Sequence, residues 1–519
     1  MAEKLRFGHR FSRFSQGAVA LIALVIFAFL SIVGLVQTCH VDIGFSTGND
    51  EHVSWNPDHI IINLVVFTVL LVLALLLMRV QVKRKTVFWV TAGSVLITAA
   101  VGAWWVLSAH ATPTADSKMI TMGAQQLISG EAQSVLSGDY FHVYPFQLGF
   151  LLFSEGFFRI FGVGAFTQFQ LMNVILVCAN EIAVVLIARE LFDDARVELL
   201  TAILLALCLQ PAFLSTFIYG TIPGMMLATW SIYFVIRLIK TGRFASMIPA
   251  FIFIMIAIMI KKNFWIALIA EAAMIFLYVL RTRKHLLLIG LAVMFAGSVL
   301  LPKGVQAYYE DRIGISYGKG TPQLAWLVTG FRDSSLGPGW YNSYTSNVLR
   351  DNDFNYDQTL ALCKADFLER AQLFASRPIY LGSFFFKKIT SQWNEPEFQS
   401  LWSSATEPNN DRSAPISAFV ESLGRGEASD TVHEYFNQLM QFVYLAMTVS
   451  FFAFFRKKEE RDEARMIIPT ILIGAAVYHT LFEAKSQYAI IYVPMMLPYA
   501  AFGVKWLSDR LKKKTGTQS

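Results

Sequence analysis

Charged residues and cysteines are both scarce in this chain of 519 residues. Asp, Glu, Lys and Arg together make up 15% of the chain, and cysteine occurs only at Cys39, Cys178, Cys208 and Cys363. The cysteines show no spacing typical of zinc ligands, and two of them lie inside apolar runs, so their pattern predicts no metal site. So small a charged fraction is unusual for a soluble domain.

The chain also lacks a basic patch of the kind that binds nucleic acid. Its formal net charge is +6, but Lys and Arg cluster at the ends of apolar runs, where they act as topology signals. The hydrophobic residues, 55% of the total, form runs of membrane-spanning length. We therefore expect an all-α, multi-pass protein of the cell membrane that contacts lipid and has no nucleic-acid partner.

Twelve apolar runs approach the ~20 residues that a helix needs to cross a bilayer. They lie at 17–37, 58–79, 87–108, 166–188, 196–214, 220–239, 246–260, 264–280, 285–302, 432–455, 466–483 and 488–508. With a cytoplasmic N-terminus, this number of spans places six basic clusters on the cytoplasmic side, as the positive-inside rule requires. They are Lys83-Arg84-Lys85, Arg189 with Arg196, Lys240 with Arg243, Arg281-Thr282-Arg283-Lys284, Arg456-Lys457-Lys458 and Arg510 with Lys512-Lys513-Lys514.

A further apolar stretch, 144–163, would invert the later loops if it also crossed the membrane. We therefore expect it to be a helix in the outer interface, with the side chains of Tyr144, Phe146, Phe150, Phe153, Phe157 and Phe158 facing lipid. The alternative is an ordinary thirteenth span. In that case one of the other twelve assignments would have to be wrong, so that the later basic clusters return to the cytoplasmic side.

This topology divides the chain into four parts. Residues 1–86 carry two N-terminal spans. Residues 87–302 form the membrane core, whose outer loop 109–165 contains the interfacial helix. Residues 303–431 form a small extracytoplasmic region, and 432–519 hold the last spans and a basic cytoplasmic tail.

Several motifs follow one another on the outer side. They are Ala115-Asp116, Gly138-Asp139-Tyr140 with Tyr144-Pro145-Phe146-Gln147-Leu148-Gly149, Ile260-Lys261-Lys262-Asn263, and Glu483-Ala484-Lys485-Ser486-Gln487-Tyr488. Their order and placement resemble the GT-C superfamily of lipid-linked glycosyltransferases, over most of the chain. The resemblance implies a GT-C-like bundle of about 12 helices with its active site on the extracytoplasmic side. Gln487 stands where such enzymes often have Arg, and Lys485 could supply that charge.

The resemblance also implies a reaction. A sugar would pass from a polyprenyl-phosphate donor, such as undecaprenyl phosphate, to a glycan, lipid or protein of the cell envelope. Such a transfer needs a base for the acceptor hydroxyl and cations for the departing phosphate. Asp116 matches the family's first outer-loop acid and is the predicted general base of a single, inverting displacement. A loop aspartate that caps the next helix is the competing interpretation.

Three lysines are the predicted ligands of the donor phosphate: Lys262, Lys485 and Lys261, with Lys262 favoured over its neighbour. They lie on the outer side, where the charge bias disfavours cations, so topology does not explain them. The alternative is that their ammonium groups extend to lipid headgroups.

Six further residues are candidates for binding the sugar or the acceptor, namely Asp139, His142, Glu483, Gln487, Tyr488 and Tyr219. Ordinary roles compete with this one, because a Gly-Asp pair is a common turn and interfacial tyrosines form aromatic belts. No metal or other cofactor is predicted, although Asp116 and Asp139 together could hold a divalent cation.

Other functions stay open. A transporter or flippase of lipid-linked saccharides should carry broken helices and polar groups near the bilayer midplane in related halves, whereas the residues singled out here collect at the outer surface. A ligase or polymerase of lipid-linked oligosaccharides would use the same type of donor, and the sequence does not separate it from single-sugar transfer.

Overall fold

A computed structural model describes residues 2–44, 50–130, 135–402, 419–420, 422–423 and 427–514. Within these ranges the protein is helical apart from turns and one two-stranded sheet. The expected all-α polytopic membrane architecture is confirmed, and the small sheet is an addition that the sequence pattern did not predict.

The helices and strands of the described residues are, in chain order, α1 (Ala2–Val36), β1 (Gln37–Gly44), β2 (Asp50–Pro57), α2 (Ile60–Leu77), α3 (Arg84–Ala109), α4 (Ala115–Ser129), α5 (Asp139–Val143), α6 (Leu148–Phe161), α7 (Phe166–Phe192), α8 (Ala195–Leu207), α9 (Gln210–Phe213), α10 (Thr221–Thr241), α11 (Met247–Ile260), α12 (Trp265–Thr282), α13 (Leu286–Ile313), α14 (Gln323–Phe331), α15 (Tyr344–Arg350), α16 (Tyr356–Ser376), α17 (Pro378–Trp393), α18 (Glu427–Arg456), α19 (Glu463–Leu481) and α20 (Val493–Lys514).

All twelve predicted spans are helical. Among the described residues, ten helices are long and apolar enough to cross a membrane. The fifth predicted span is instead the pair α8 and α9, bent by 41°, and the seventh is a shorter apolar helix, Phe244–Ile260. The bend coincides with Pro211 in the first turn of α9, because proline has no N–H to donate to Leu207 O and its ring clashes with that carbonyl, so α8 cannot continue through it.

Ion pairs, three of them between distant segments of the chain, collect at one end of the bundle, which we call the basic end. They are Arg84–Asp193, Arg196–Asp194, Lys240–Asp462, Arg281–Glu463 and Arg465–Glu460. The basic clusters that the sequence assigned to one side of the membrane therefore meet at one end of the molecule.

The opposite end, the hairpin end, carries β1 and β2, α4 to α6 and α14 to α17. β1 pairs with β2 in antiparallel register from Gln37 opposite Pro57 to Gly44 opposite Asp50. Two backbone hydrogen bonds attach this hairpin to the region 303–431, from Cys39 N to Asn394 O and from Val53 N to Leu336 O, each at 3.0 Å. The N-terminal segment 1–86 is thus joined to the region 303–431 through its hairpin.

The predicted interfacial segment 144–163 forms a turn and then α6, but its aromatic face is not turned to lipid as expected. Phe150, Phe157 and Phe158 are 0%, 6% and 1% exposed. Their rings pack around Phe169 of α7, at centroid distances of 6.1, 4.7 and 6.1 Å. This aromatic stripe is covered by protein because α6 packs against α4 and α7.

Candidate functional site

Asp116 lies in the first turn of α4, directly after a strained residue. Ala115 has a φ of +46°, in the left-handed region that costs a residue with a Cβ atom roughly 1–2 kcal/mol. The hydroxyl of Ser117 donates to Ile218 O at 2.6 Å and so ties the start of α4 to the segment before α10. Thr114, rather than Asp116, is the N-cap residue. Strain held in place by such contacts is common at functional sites.

The carboxylate of Asp116 is enclosed by protein and yet accessible. Its side chain is exposed, but Tyr140, Tyr219, Lys261 and Lys485 all act on it electrostatically or as hydrogen-bond donors. Burial raises the pKa of Asp116, and these four groups oppose that rise. Solvent that reaches the carboxylate moderates the effect of burial. Asp116 is therefore accessible while it interacts with groups from elements that are distant in sequence.

Lys261 lies in the tight turn between α11 and α12, residues 260–264, which we call the Lys261 turn. Its Nζ donates to Thr221 Oγ1 at 3.1 Å and lies 4.3 Å from the centre of the Tyr219 ring. Burial lowers the pKa of Lys261 to about 7, while Asp116 raises it and Lys485 lowers it further. The closest contacts of this ammonium group are neutral, which leaves its charge available to an anion.

Two glycines allow the backbone to come close to the Lys261 turn. A Cβ atom on Gly149 of α6 would lie 1.8 Å from Met259 O, and one on Gly220 would lie 2.9 Å from Ile260 O. Both distances are shorter than a carbon atom tolerates, so any larger residue would push the neighbouring backbone away. These glycines set the position of the turn relative to α6 and α10.

Lys262, the lysine that the sequence favoured, points elsewhere. It is exposed, and its Nζ lies 4.7 Å from the centre of the Phe146 ring. Lys261 is among the groups that act on Asp116, whereas Lys262 is not one of them. Of the two adjacent lysines, the structure thus sets Lys261 beside the carboxylate.

Lys485 lies in a second turn, between α19 and the last span, residues 482–488, which we call the Lys485 turn. Its Nζ pairs with Glu51 Oε1 of β2 at 2.6 Å and lies 4.3 Å from the centre of the Trp402 ring. Glu51 is itself buried. The ammonium group of Lys485 therefore has a carboxylate partner supplied by the N-terminal hairpin.

The region 303–431 holds the Lys485 turn in place. Ala484 N donates to Gly339 O at 2.7 Å. Lys388 of α17, which is completely buried, donates to Phe482 O at 2.7 Å and to Gly330 O at 2.5 Å. Burial lowers the pKa of Lys388 to about 7. Part of this region, 403–418, lies outside the described residues.

Glu483 and Tyr488 also belong to the Lys485 turn. The hydroxyl of Tyr488 donates to Glu483 Oε1 at 3.0 Å. Burial raises the pKa of Glu483 to about 7, opposed by Tyr488 and Lys485 and reinforced by Asp116 and Glu51. Asp116, Tyr219, Lys261, Glu483, Lys485 and Tyr488 thus interact electrostatically as one group, which we call the Asp116 cluster.

Two of the predicted binding residues, Asp139 and His142, have their contacts outside this cluster, and a third, Gln487, lies in the Lys485 turn with its backbone bonded elsewhere. Asp139 pairs with Arg350 at 3.2 Å and is largely exposed. His142 donates from Nδ1 to Gly138 O at 3.0 Å and packs its ring against Tyr317. The backbone N of Gln487, which is buried, donates to Gln399 Oε1 at 3.4 Å.

A divalent cation held by Asp116 and Asp139 stays a prediction. In this structure Asp139 pairs with Arg350. Neither Asp116 nor Asp139 belongs to a group of three metal-ligating side chains among the described residues. The groups that act on Asp116 include two lysines, Lys261 and Lys485.

Sequence reasoning missed Tyr140 and Glu51 as members of the site. The hydroxyl of Tyr140 is buried, and no hydrogen bond of ordinary geometry to it is found in the described part of the chain. It nevertheless lies close enough to Asp116 to lower the pKa of that carboxyl. Tyr140 is the third residue of the quoted motif Gly138-Asp139-Tyr140, so the sequence contained a signal that could have singled it out. Glu51 carried no signal, because its relation to Lys485 exists only in the folded protein.

Comparison with protein families places the central part of the chain. Residues 147–302 match the model of the dolichyl-phosphate-mannose-protein mannosyltransferase family. The match covers α6 to α13 in large part and includes Tyr219, Lys261 and Lys262, whereas Asp116 and Lys485 lie outside it. No curated protein matches the chain. Over residues 147–302 this multi-pass membrane protein is therefore similar to a glycosyltransferase domain of the GT-C superfamily, the superfamily that its sequence resembles.

Proposed function

We propose that the protein transfers a sugar from a polyprenyl-phosphate donor to an acceptor of the cell envelope on the extracytoplasmic side of the cell membrane. The acceptor hydroxyl would belong to a glycan, a lipid or a protein. The matched family is named for transfer of mannose from dolichyl phosphate, which is a donor of this chemical class.

One observation carries the proposal. A carboxylate, Asp116, and two lysines, Lys261 and Lys485, interact with one another although they come from three distant parts of the chain. A base surrounded by cations is the set of groups that glycosyl transfer from a lipid phosphate requires. An aspartate with only a structural role would not need two lysines drawn from distant turns.

In this reaction Asp116 accepts the proton of the acceptor hydroxyl. The hydroxyl oxygen then attacks the anomeric carbon, and the bond from that carbon to the phosphate oxygen breaks on the opposite face of the sugar. The polyprenyl phosphate leaves with the bonding electrons, and the anomeric configuration inverts. A carboxylate whose pKa is raised by burial is a stronger base than a solvated one.

The two lysines would stabilise the negative charge that develops on the departing phosphate. Lys261 is the better placed of the two, because its nearest partners are the hydroxyl of Thr221 and the ring of Tyr219. Lys485 would contribute less net charge, because Glu51 already pairs with it. Lys262, exposed above Phe146, would meet the donor at the edge of the site.

The tyrosines would bind and orient the sugar. The hydroxyl of Tyr140 faces Asp116 without an ordinary hydrogen-bond partner among the described residues, so a substrate hydroxyl could satisfy it. Tyr219 and Tyr488 present aromatic rings on either side of Lys261, at 4.3 and 5.7 Å from its Nζ. Glu483, hydrogen-bonded to Tyr488, is a further candidate ligand for a sugar hydroxyl.

The proposal is tested by sugar transfer with the purified, full-length protein. Candidate polyprenyl-phosphate hexoses would be supplied in detergent micelles with membrane extracts as acceptors, and labelled product would be measured. We expect Asp116→Asn and Lys261→Ala to abolish most transfer, whereas Asp311→Asn and Lys364→Ala, exposed residues of α13 and α16, should retain it. Transfer that survives both of the first two changes would refute the assigned site.

A further inference from the structure

A second group of ligating side chains lies at the hairpin end, and its members are outside the Asp116 cluster. It consists of His40 of β1, Glu397 in the loop after α17, and His433 near the start of α18. One ligand atom from each side chain lies within 4.8 Å of the ligand atoms of the other two, and all three residues are partly buried. Among the described residues, this is the one group of three or more His, Cys, Asp or Glu side chains whose ligand atoms lie within 4.8 Å of one another.

The three residues are held near one another by the backbone around them. The carboxylate of Glu395 accepts from Glu397 N and from Gln399 N, both at 2.9 Å, and thereby fixes the loop that presents Glu397. The residue next to His40, Cys39, donates its N–H to Asn394 O at 3.0 Å. The strand and the loop are therefore joined before any ligand binds.

The side chains already adopt an arrangement that a cation can use. His433 Nδ1 lies 3.1 Å from Glu397 Oε1, and the rings of His40 and His433 meet edge to face with centroids 4.8 Å apart. Three carboxylates, those of Glu397, Glu395 and Asp58, act electrostatically on His433. A divalent ion would offset this concentration of negative charge.

We propose that His40, Glu397 and His433 bind a Zn²⁺ ion. Two imidazoles and one carboxylate form a common protein ligand set for zinc, with bonds of about 2.0–2.2 Å and a further position open to water. In tetrahedral geometry such bonds separate the ligand atoms by about 3.4 Å. Side-chain rotations that move these atoms by about 1 Å would bring them to that separation. Mg²⁺ and Ca²⁺ favour all-oxygen ligands and fit it poorly.

This ion would have a structural task distinct from sugar transfer. It would join three segments: the N-terminal hairpin, the loop after α17 and the helix α18. The same hairpin carries Glu51, which pairs with Lys485 at 2.6 Å. Zinc would thus hold the hairpin in the position from which Glu51 reaches the Asp116 cluster, without touching the reacting groups.

The test uses the full-length protein in detergent, without a polyhistidine tag. After removal of metals with a chelator, the protein is dialysed against buffered Zn²⁺, and bound zinc is measured by mass spectrometry. We expect about one zinc per wild-type chain and less than about a tenth of that in His40→Ala and His433→Ala. His52→Ala, a change of an exposed histidine on the same hairpin, should bind as the wild type does.

Wild-type protein that binds no more zinc than the double variant His40→Ala with His433→Ala would overturn the proposal. A second measurement does not depend on whether a variant folds. Co²⁺ added to metal-free wild-type protein should produce the visible absorption of tetrahedral cobalt, and Zn²⁺ but not Mg²⁺ should abolish it. Absence of this absorption would also overturn the proposal.

Discussion

The Lys261 turn and the Lys485 turn present the same kind of side chain to Asp116 in two different ways. Each ammonium group lies 4.3 Å from the centre of an aromatic ring, Tyr219 in one turn and Trp402 in the other. Lys261 is otherwise bound by a neutral hydroxyl, whereas Lys485 is paired with the carboxylate of Glu51. One lysine therefore has no carboxylate bound directly to it among the described residues, and the other is paired with one.

The two turns also differ in where they lie in the chain. Lys261 belongs to the segment 147–302 that matches the mannosyltransferase family, and Lys485 lies beyond it. The Lys485 turn is supported by the hairpin of residues 1–86 and by the region 303–431, through Glu51, Gly339 and Lys388. The matched domain therefore supplies only part of the site, and the remaining parts of the chain complete it.

The largest effect should come from Asp116, the residue that both turns face. In Asp116→Asn we expect kcat to fall about 10³-fold, because the amide cannot accept the proton of the acceptor hydroxyl. Donor affinity, measured by equilibrium binding, should change little. If Asp116→Asn instead bound the donor weakly but kept the wild-type kcat, Asp116 would not be the general base.

The next largest effect should distinguish the two lysines. Removal of the uncompensated charge in Lys261→Ala should lower kcat/KM for the donor about 10²-fold, comparable to the loss of one oxyanion-stabilising donor. Lys364→Ala, an exposed lysine on α16, is the matched control and should be close to wild type. If Lys262→Ala had the larger effect, the phosphate would lie above Phe146 rather than beside Asp116.

A smaller effect should separate the ion pair from a simple cation. Lys485→Ala leaves the buried carboxylate of Glu51 unpaired, so we expect about a 10-fold loss in kcat/KM together with a lower melting temperature. Adding Glu51→Gln to Lys485→Ala should recover part of both losses, because no buried charge is then left alone. Strictly additive losses would show that the pair does not act as a unit.

The smallest effect concerns pH. Because the pKa of Lys261 is lowered to about 7, its ammonium form dominates below that pH and is lost as the pH rises through it. We therefore expect kcat/KM for the donor to decline above about pH 7 in the free wild-type enzyme. In Lys261→Arg the guanidinium stays charged, so this alkaline decline should move to higher pH. An unchanged pH profile would exclude Lys261 as the titrating group.

Much of the fold could be predicted because its signals are local. Hydropathy located all twelve helical segments, and the basic clusters meet at one end of the bundle as the charge rule required. The bend between α8 and α9 follows from Pro211, which the sequence displayed without its consequence being drawn. The aromatic stripe of α6 was misassigned to lipid, because a helical pattern identifies an apolar face without identifying what covers it.

The site was only partly predictable. Motifs singled out Asp116, Lys261, Lys485, Glu483, Tyr219 and Tyr488, which the structure brings into one cluster, and their chemical roles remain predictions. Asp139 and His142 lie apart from it, since short motifs do not report the direction of a side chain. Glu51 entered the site through its pairing with Lys485, which no linear pattern encodes, whereas Tyr140 was part of a quoted motif but was not recognised as a neighbour of Asp116.

The sequence by itself determined the membrane class, the helical segments and the meeting of the basic clusters at one end of the bundle. Hydrophobicity and charge determine these features because both act over the length of one span. The tertiary structure alone decided that Lys261 rather than Lys262 lies beside Asp116, and that Glu51 compensates Lys485. Adjacent residues in a tight turn point in different directions, and packing between distant segments selects which of them meets the carboxylate.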